Sequence, residues 1–216
     1  MIAHPLKTVF VHIPKTAGTS VEQVFLSYLG LDQNSRAALL LREKLEYESG
    51  PPRLAHLTTE EYLDNDFITP EQRKDYFFFA TVRNPWARVQ SCYHFLNFDH
   101  DHSLNGFVAN QLEKKMNSAK YGWFLRPQTD FIYDKNDQLL VDTVCRFEQL
   151  QADFNAVLAK VGLPPTELPV SNSRQVKVSE NSKNRAEKCS LNPASIEIIA
   201  RLYKRDVELL GYDYSP

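Results

Sequence analysis

The segment TVFVHIPKTAGTS, Thr8 to Ser20, leaves the chain few ways to fold. Its opening run, Thr8 to Ile13, is short, β-branched and nearly continuously apolar. Such a run suits a strand buried on both faces, as in a parallel sheet covered by helices. Pro14 stops the strand because it has no ladder N–H to offer. Beyond Ser20, Val21, Val24, Phe25, Tyr28 and Leu29 recur at helical spacing until Gly30 closes the pattern. The spacing predicts a strand, a tight turn and a helix in direct succession.

The same design returns at Phe77 to Val82, FFFATV, followed by a helix with Trp86, Val89, Cys92, Tyr93 and Leu96 on one face. Between the two turns the pattern predicts a helix around Ala37 to Tyr47. It also predicts a short strand at Arg53 to Leu57, bounded by Gly50, Pro51 and Pro52. Leu139 to Cys145 reads as a further strand. Phe147, Leu150, Phe154, Val157, Leu158 and Val161 make a helical stripe ended by Gly162. A last helix opens with Asn192 as cap and Pro193 in its first turn, and carries Ile196, Ile199, Ala200, Tyr203, Val207 and Leu210. Strands alternating with helices predict an α/β fold: one domain over residues 1–216, with a central, largely parallel sheet flanked by helices.

The 216 residues hold 25 Lys plus Arg against 27 Asp plus Glu, a formal charge of −2. A chain that binds nucleic acid by displacing phosphate counterions is normally basic, so no nucleic-acid partner is expected. There is no run of 18 apolar residues and the start lacks a signal-peptide pattern, so neither a membrane span nor export is expected. Cys92, Cys145 and Cys189 are widely spaced and odd in number, which fits a reduced, cytoplasmic protein. Asp99, His100, Asp101 and His102 form the one dense group of metal-type ligands. Their spacing suits a polar loop better than a zinc site, so no metal is expected.

The turn PKTAGTS can hold an oxyanion, because helix N-termini present unpaired N–H groups and a favourable dipole. Gly18 permits close approach; Thr16, Thr19 and Ser20 add hydroxyls; Lys15 adds a compact positive charge. The turn does not match GxxxxGK[ST], since Lys15 precedes Gly18, the loop's only glycine. With 7 glycines in the whole chain, an economical loop of this kind is the form available. At the second turn, Arg83 stands at a strand end. Arg88 and Ser91 are three residues apart and avoid the apolar stripe, so they are expected on one exposed face. Two anion sites at successive strand ends suggest a nucleotide phosphorylated at two positions.

With these residues in view, the chain resembles sulfotransferases that use 3′-phosphoadenosine 5′-phosphosulfate (PAPS). FVHIPKTAGTS (Phe10 to Ser20) is similar to their 5′-phosphosulfate motif, and VRNPWARVQSCYHFL (Val82 to Leu96) to their 3′-phosphate motif. RLAHLTTEEY, CRFEQLQADF and YKRDVELLGYDY extend the likeness along most of the chain. The nearest branch is the carbohydrate group that includes heparan 2-O-sulfotransferases and soluble bacterial relatives. The resemblance implies a P-loop-like sulfotransferase fold and in-line sulfuryl transfer to a hydroxyl acceptor, a carbohydrate or small molecule, without a metal.

By the same resemblance, Lys15, Thr16, Ala17, Gly18, Thr19 and Ser20 would hold the 5′-phosphate end. Lys15 would steady the leaving oxygen, and Arg83 and Ser91 would hold the 3′-phosphate. His56 would be the base, with Glu60 or Glu61 as the alternative; His12 reads as structural, and His94 as a capping or packing residue. A P-loop-like nucleotide kinase or NTPase, or a non-catalytic PAPS-binding module, stands as the other reading. Tyr121, Trp123, Phe124 and Tyr133 are candidates to stack on a sugar. The basic stretch Ser171 to Lys188 is read as a surface loop or an anion-closing cover.

Overall fold

The computed structural model describes residues 1–169 and 190–214. Their contacts divide into two compact units, residues 1–82 with 128–169 and residues 83–127 with 190–214.

The first unit holds a four-stranded sheet in the order β1 (Ile2–Ala3), β2 (Thr8–Val11), β3 (Phe77–Val82), β4 (Thr143–Arg146). β1 runs antiparallel to β2, whereas β2, β3 and β4 are parallel, with Phe10 opposite Phe79 and Thr81 opposite Cys145. The expected largely parallel sheet flanked by helices is therefore present. β2 is two residues shorter than the apolar run, since His12 and Ile13 leave the ladder while staying buried.

One face of the sheet packs on α1 (Gly18–Tyr28), and α9 (Leu150–Lys160) shares the same core. Phe10 stacks on Phe79 at 4.9 Å, and Phe25 and Phe154 close around Phe79. Full burial of each ring contributes about 2–3 kcal/mol, enough to hold backbone strain of about 1–3 kcal/mol per residue in the neighbouring loop. Also in this unit are α2 (Thr59–Asp64) and α3 (Pro70–Asp75), each opened by a capping box, Thr58 with Glu61 and Thr69 with Gln72. α8 (Thr129–Ile132) is a single turn.

Several expected elements differ. The helix expected over Ala37 to Tyr47 is only a 3₁₀ turn, Arg36–Leu39, because Leu40 adopts a left-handed φ of 64° and breaks it. The strand expected at Arg53 to Leu57 is instead a 3₁₀ turn, Leu54–His56, with one bridge from Arg53 to Glu43. Pro51 and Pro52 just ahead of it have no ladder N–H to lead into a strand, and turning lets Leu54, Ala55 and Leu57 all be buried. The strand expected from Leu139 starts at Thr143, after the Asp142 carboxylate takes the N–H of Phe78 at 2.7 Å. Phe147 lies in a 3₁₀ turn ahead of α9 and not within it.

The second unit contains α4 (Pro85–Phe95), α5 (Leu104–Asn110), α6 (Leu112–Met116), α7 (Gly122–Leu125), α10 (Pro193–Leu202) and α11 (Lys204–Leu210). Asn192 caps α10 through the N–H of Ser195, as the sequence indicates, but the last helix divides at Tyr203. The buried Tyr203 hydroxyl donates to the Leu125 carbonyl at 2.7 Å, and Trp86 Nε1 donates to the Ile196 carbonyl at 2.9 Å. Among the described residues no helix is long and apolar enough to cross a membrane.

Candidate functional site

In the first unit, β2 delivers the chain into a turn whose backbone is strained. Lys15 has φ 69° and Ala17 φ 67°, both in the left-handed region that residues with a Cβ rarely adopt. Ala17 is the N-cap of α1, so the first turn has no side-chain cap, and no carboxylate stands in it. N–H groups of a first helical turn point out of its N-terminal end. A positive helix end with Lys15 beside it, and no built-in anion, has the chemistry of an oxyanion cradle.

The expected donors divide. Thr16 is fully buried; its hydroxyl donates to the Ile13 carbonyl at 2.9 Å and meets the Thr81 hydroxyl of β3 at 2.7 Å. That hydroxyl is engaged within the fold, tying the turn to β3. Ser20 is also buried, and its N–H returns to the Ala17 carbonyl at 3.0 Å, whereas Thr19 stays half-buried. Gly18 is needed for space: a Cβ there would lie 2.1 Å from the His12 ring.

His12 and His56 meet under this loop, their ring centroids 4.5 Å apart. The 3₁₀ turn Leu54–His56 aims His56 Nδ1 at the His12 carbonyl, 2.8 Å away. A carbonyl only accepts, so Nδ1 carries the proton and Nε2 is the basic nitrogen of the neutral ring. Burial first, and the charge of His12 second, hold His56 well below the ordinary imidazole range. His12 in turn hydrogen-bonds through Nδ1 to Glu22 Oε1 at 2.7 Å. Burial alone would raise the Glu22 carboxyl. The charge and hydrogen bond of His12, with Arg36 behind them, overcome that and keep it ionised.

The other candidate bases are differently placed. Glu61 is committed to the capping box, accepting the Thr58 N–H at 2.8 Å, and Glu60 is exposed. His94 pairs through Nδ1 with Asp99 at 3.0 Å. Asp99 and His100 form a 3₁₀ turn, Phe98–His100, and among the described residues no group of three or more His, Cys, Asp or Glu could hold a metal ion.

In the second unit, Arg83 directly precedes Asn84, whose Oδ1 accepts the N–H groups of Trp86 and Ala87 and so starts α4. Arg83 and Ser91 are both half-buried. Arg88 does not share an exposed face with Ser91, as its spacing suggested. It is 1% exposed and donates to the carbonyls of Arg126 and Phe124 at 2.9 and 3.0 Å. The planar fork of a guanidinium suits two backbone carbonyls, which overrode the polar-face expectation. The basic stretch Ser171 to Lys188 lies outside the described residues.

Sequence reasoning missed Glu22. Its one signal is a carboxylate set among Val21, Val24 and Phe25, one helical turn beyond Gly18.

A model of the sulfotransferase family matches residues 1–213. An uncharacterized protein of Archaeoglobus fulgidus is 33% identical over 93 residues, 41% of this chain and 70% of that protein. No solved structure matches significantly.

Proposed function

The chain belongs to the sulfotransferase family, and from that premise we propose that it moves a sulfuryl group from PAPS to a hydroxyl of a carbohydrate or glycoconjugate, with His56 as base. The observation that carries the reading is the turn at residues 14–18: two left-handed residues ahead of a helix with neither a side-chain cap nor an acidic first turn. Bound there, the nucleotide supplies a sulfuryl group whose S–O bond to the 5′-phosphate breaks as the acceptor oxygen bonds to sulfur.

The chain's own residues divide the remaining work. The backbone of residues 16–20, with the Thr19 and Ser20 side chains, holds the phosphate end. Lys15 offsets negative charge on the bridging oxygen as it leaves. His56 takes the acceptor's proton at Nε2, since its Nδ1 proton is committed to the His12 carbonyl. Its depressed proton affinity keeps it unprotonated at neutral pH. Arg83 and Ser91 grip the 3′-phosphate and so select PAPS over nucleotides lacking it. The reaction runs in a reducing compartment, the cytoplasm, where Cys92 and Cys145 remain the buried thiols they are.

Thermal shift with three nucleotides tests the reading. Adenosine 3′,5′-bisphosphate without metal should raise Tm by about 5–10 °C at 100 times its Kd. Adenosine 5′-phosphate should do far less at equal concentration. Stabilisation by ATP with magnesium alone would overturn the proposal in favour of a kinase-like activity. Sulfate transfer from PAPS across a panel of hydroxyl acceptors then separates enzyme from binding module.

A further inference from the structure

His12 touches three working parts of the first unit at once. Its Nδ1 meets Glu22 of α1, its ring fills the space beneath Gly18, and its carbonyl accepts the Nδ1 proton of His56. The ring also stacks on Phe10 at 5.5 Å, which fixes its plane against the core. The side chains of His12 and Glu22 are only 9% and 5% exposed. The ring edge bearing Nε2 lies against Gly18, so His12 is packed behind the loop and not presented to an acceptor.

An ionised carboxylate at this depth is costly, and an apolar residue of similar volume usually serves stability as well or better. Glu22 nevertheless occupies a buried position of α1 between Val21 and Val24. Its Oε1 is taken by His12, and its Oε2 faces Arg36 at 3.5 Å. A carboxylate that orients an imidazole, which in turn supports the reacting group, is a recurrent arrangement at catalytic sites.

We propose that Glu22 and His12 are a positioning pair, one hydrogen-bonded unit that sets both the backbone of the anion loop and the placement and basicity of His56. The inference rests on the reading of His56 as base. The pair gives loop and base a common support, so a change in either member is felt at both.

The test compares wild type with Glu22→Gln, which keeps the shape and removes the charge, and with His12→Asn. Each is followed by kcat, KM for the acceptor, the pH profile of kcat/KM, and NMR titration of the His56 ring. The charged groups around His56 include His12, Arg53 and the amino group of Met1, with Glu22 behind His12. Only the pair is altered. Removing the His12 charge relieves His56, so in His12→Asn the acid limb and the His56 titration move together to higher pH; in Glu22→Gln the two move together away from their wild-type positions. kcat falls about 10-fold or more, the scale for loss of an orienting partner behind a working group, while KM for the acceptor changes little.

A second arm concerns the loop. Gly18→Ala should weaken adenosine 3′,5′-bisphosphate binding by driving a methyl into the His12 ring, and adding His12→Ala should restore at least part of it. A fall in kcat with an unmoved acid limb and an unmoved His56 titration would overturn the inference, leaving the pair a packing element. If Glu22→Gln does not fold, His12→Asn reads the same titration from the other partner. Should wild type bind no bisphosphate and transfer no sulfate, the sulfotransferase reading fails by itself. The NMR titration still decides whether the pair controls His56.

Discussion

Thr16 and Thr81 join their fully buried hydroxyls across 2.7 Å, tying the turn at residues 14–18 to β3. Thr16 donates its hydroxyl hydrogen bond to the Ile13 carbonyl, so Thr81 is the donor of the shared bond. The loop's left-handed residues, Lys15 and Ala17, flank this anchor on either side. A buried hydroxyl pair holding the residue between two strained ones explains how the turn keeps its shape without a glycine at either position.

Thr81→Val and Thr16→Val should each destabilise the protein by about 1 kcal/mol, and the double variant by less than the sum, with a coupling of about 1 kcal/mol. Urea denaturation measures it. Both variants should also weaken bisphosphate binding, because the backbone donors lose their fixed arrangement. Additive losses would show that the two hydroxyls act independently.

Arg88→Met is expected to cost about 2–4 kcal/mol of stability, since it takes the guanidinium donor from the buried Phe124 carbonyl and the part-buried Arg126 carbonyl. Arg88→Lys should recover little, because an ammonium cannot span both carbonyls as the fork does. Denaturation midpoints check this. A variant with unchanged stability and lost nucleotide binding would return Arg88 to the anion site.

Arg83→Ala should leave the fold intact and weaken adenosine 3′,5′-bisphosphate far more than adenosine 5′-phosphate. A charge-assisted contact to phosphate is worth about 1.5–3 kcal/mol, a loss of roughly 10- to 150-fold for the bisphosphate alone. Isothermal titration with both nucleotides decides it. Equal losses would remove the 3′-phosphate assignment.

The two strand-to-helix turns were legible in the sequence because their signals are local. A doubly buried strand shows as an apolar run, and Pro14, Gly30 and Asn192 act within a few residues of themselves. What escaped was set by tertiary packing. Nothing in the spacing of Arg88 and Ser91 reveals that carbonyls 36 and 38 residues away claim the guanidinium. The spacing places His56 in a strand, yet it lies in a 3₁₀ turn that buries Leu54, Ala55 and Leu57. Glu22 follows the same rule: its partner His12 is 10 residues back, across a turn whose geometry is not written in hydropathy.

The pH dependence of stability carries the last prediction. In the unfolded chain His56 titrates near 6.5; in the native state burial, and then the charge of His12, hold it well below that. Below about pH 6.5 the unfolded state therefore binds more protons at this position than the native state. Stability linked to His56 is complete above that range and is lost as pH falls toward the depressed native value. His56→Asn removes this linkage, so stability should fall less steeply between about pH 6.5 and 5 than in wild type. The Met1 amino group, lowered to about 5, adds its own slope over an overlapping range. It is present in both proteins. Glu22 loses its contribution only at lower pH, as its carboxylate takes up a proton. Urea denaturation at half-unit pH steps gives the two curves. Parallel slopes across this window would mean that native His56 takes up its proton as readily as an exposed imidazole, which contradicts its burial.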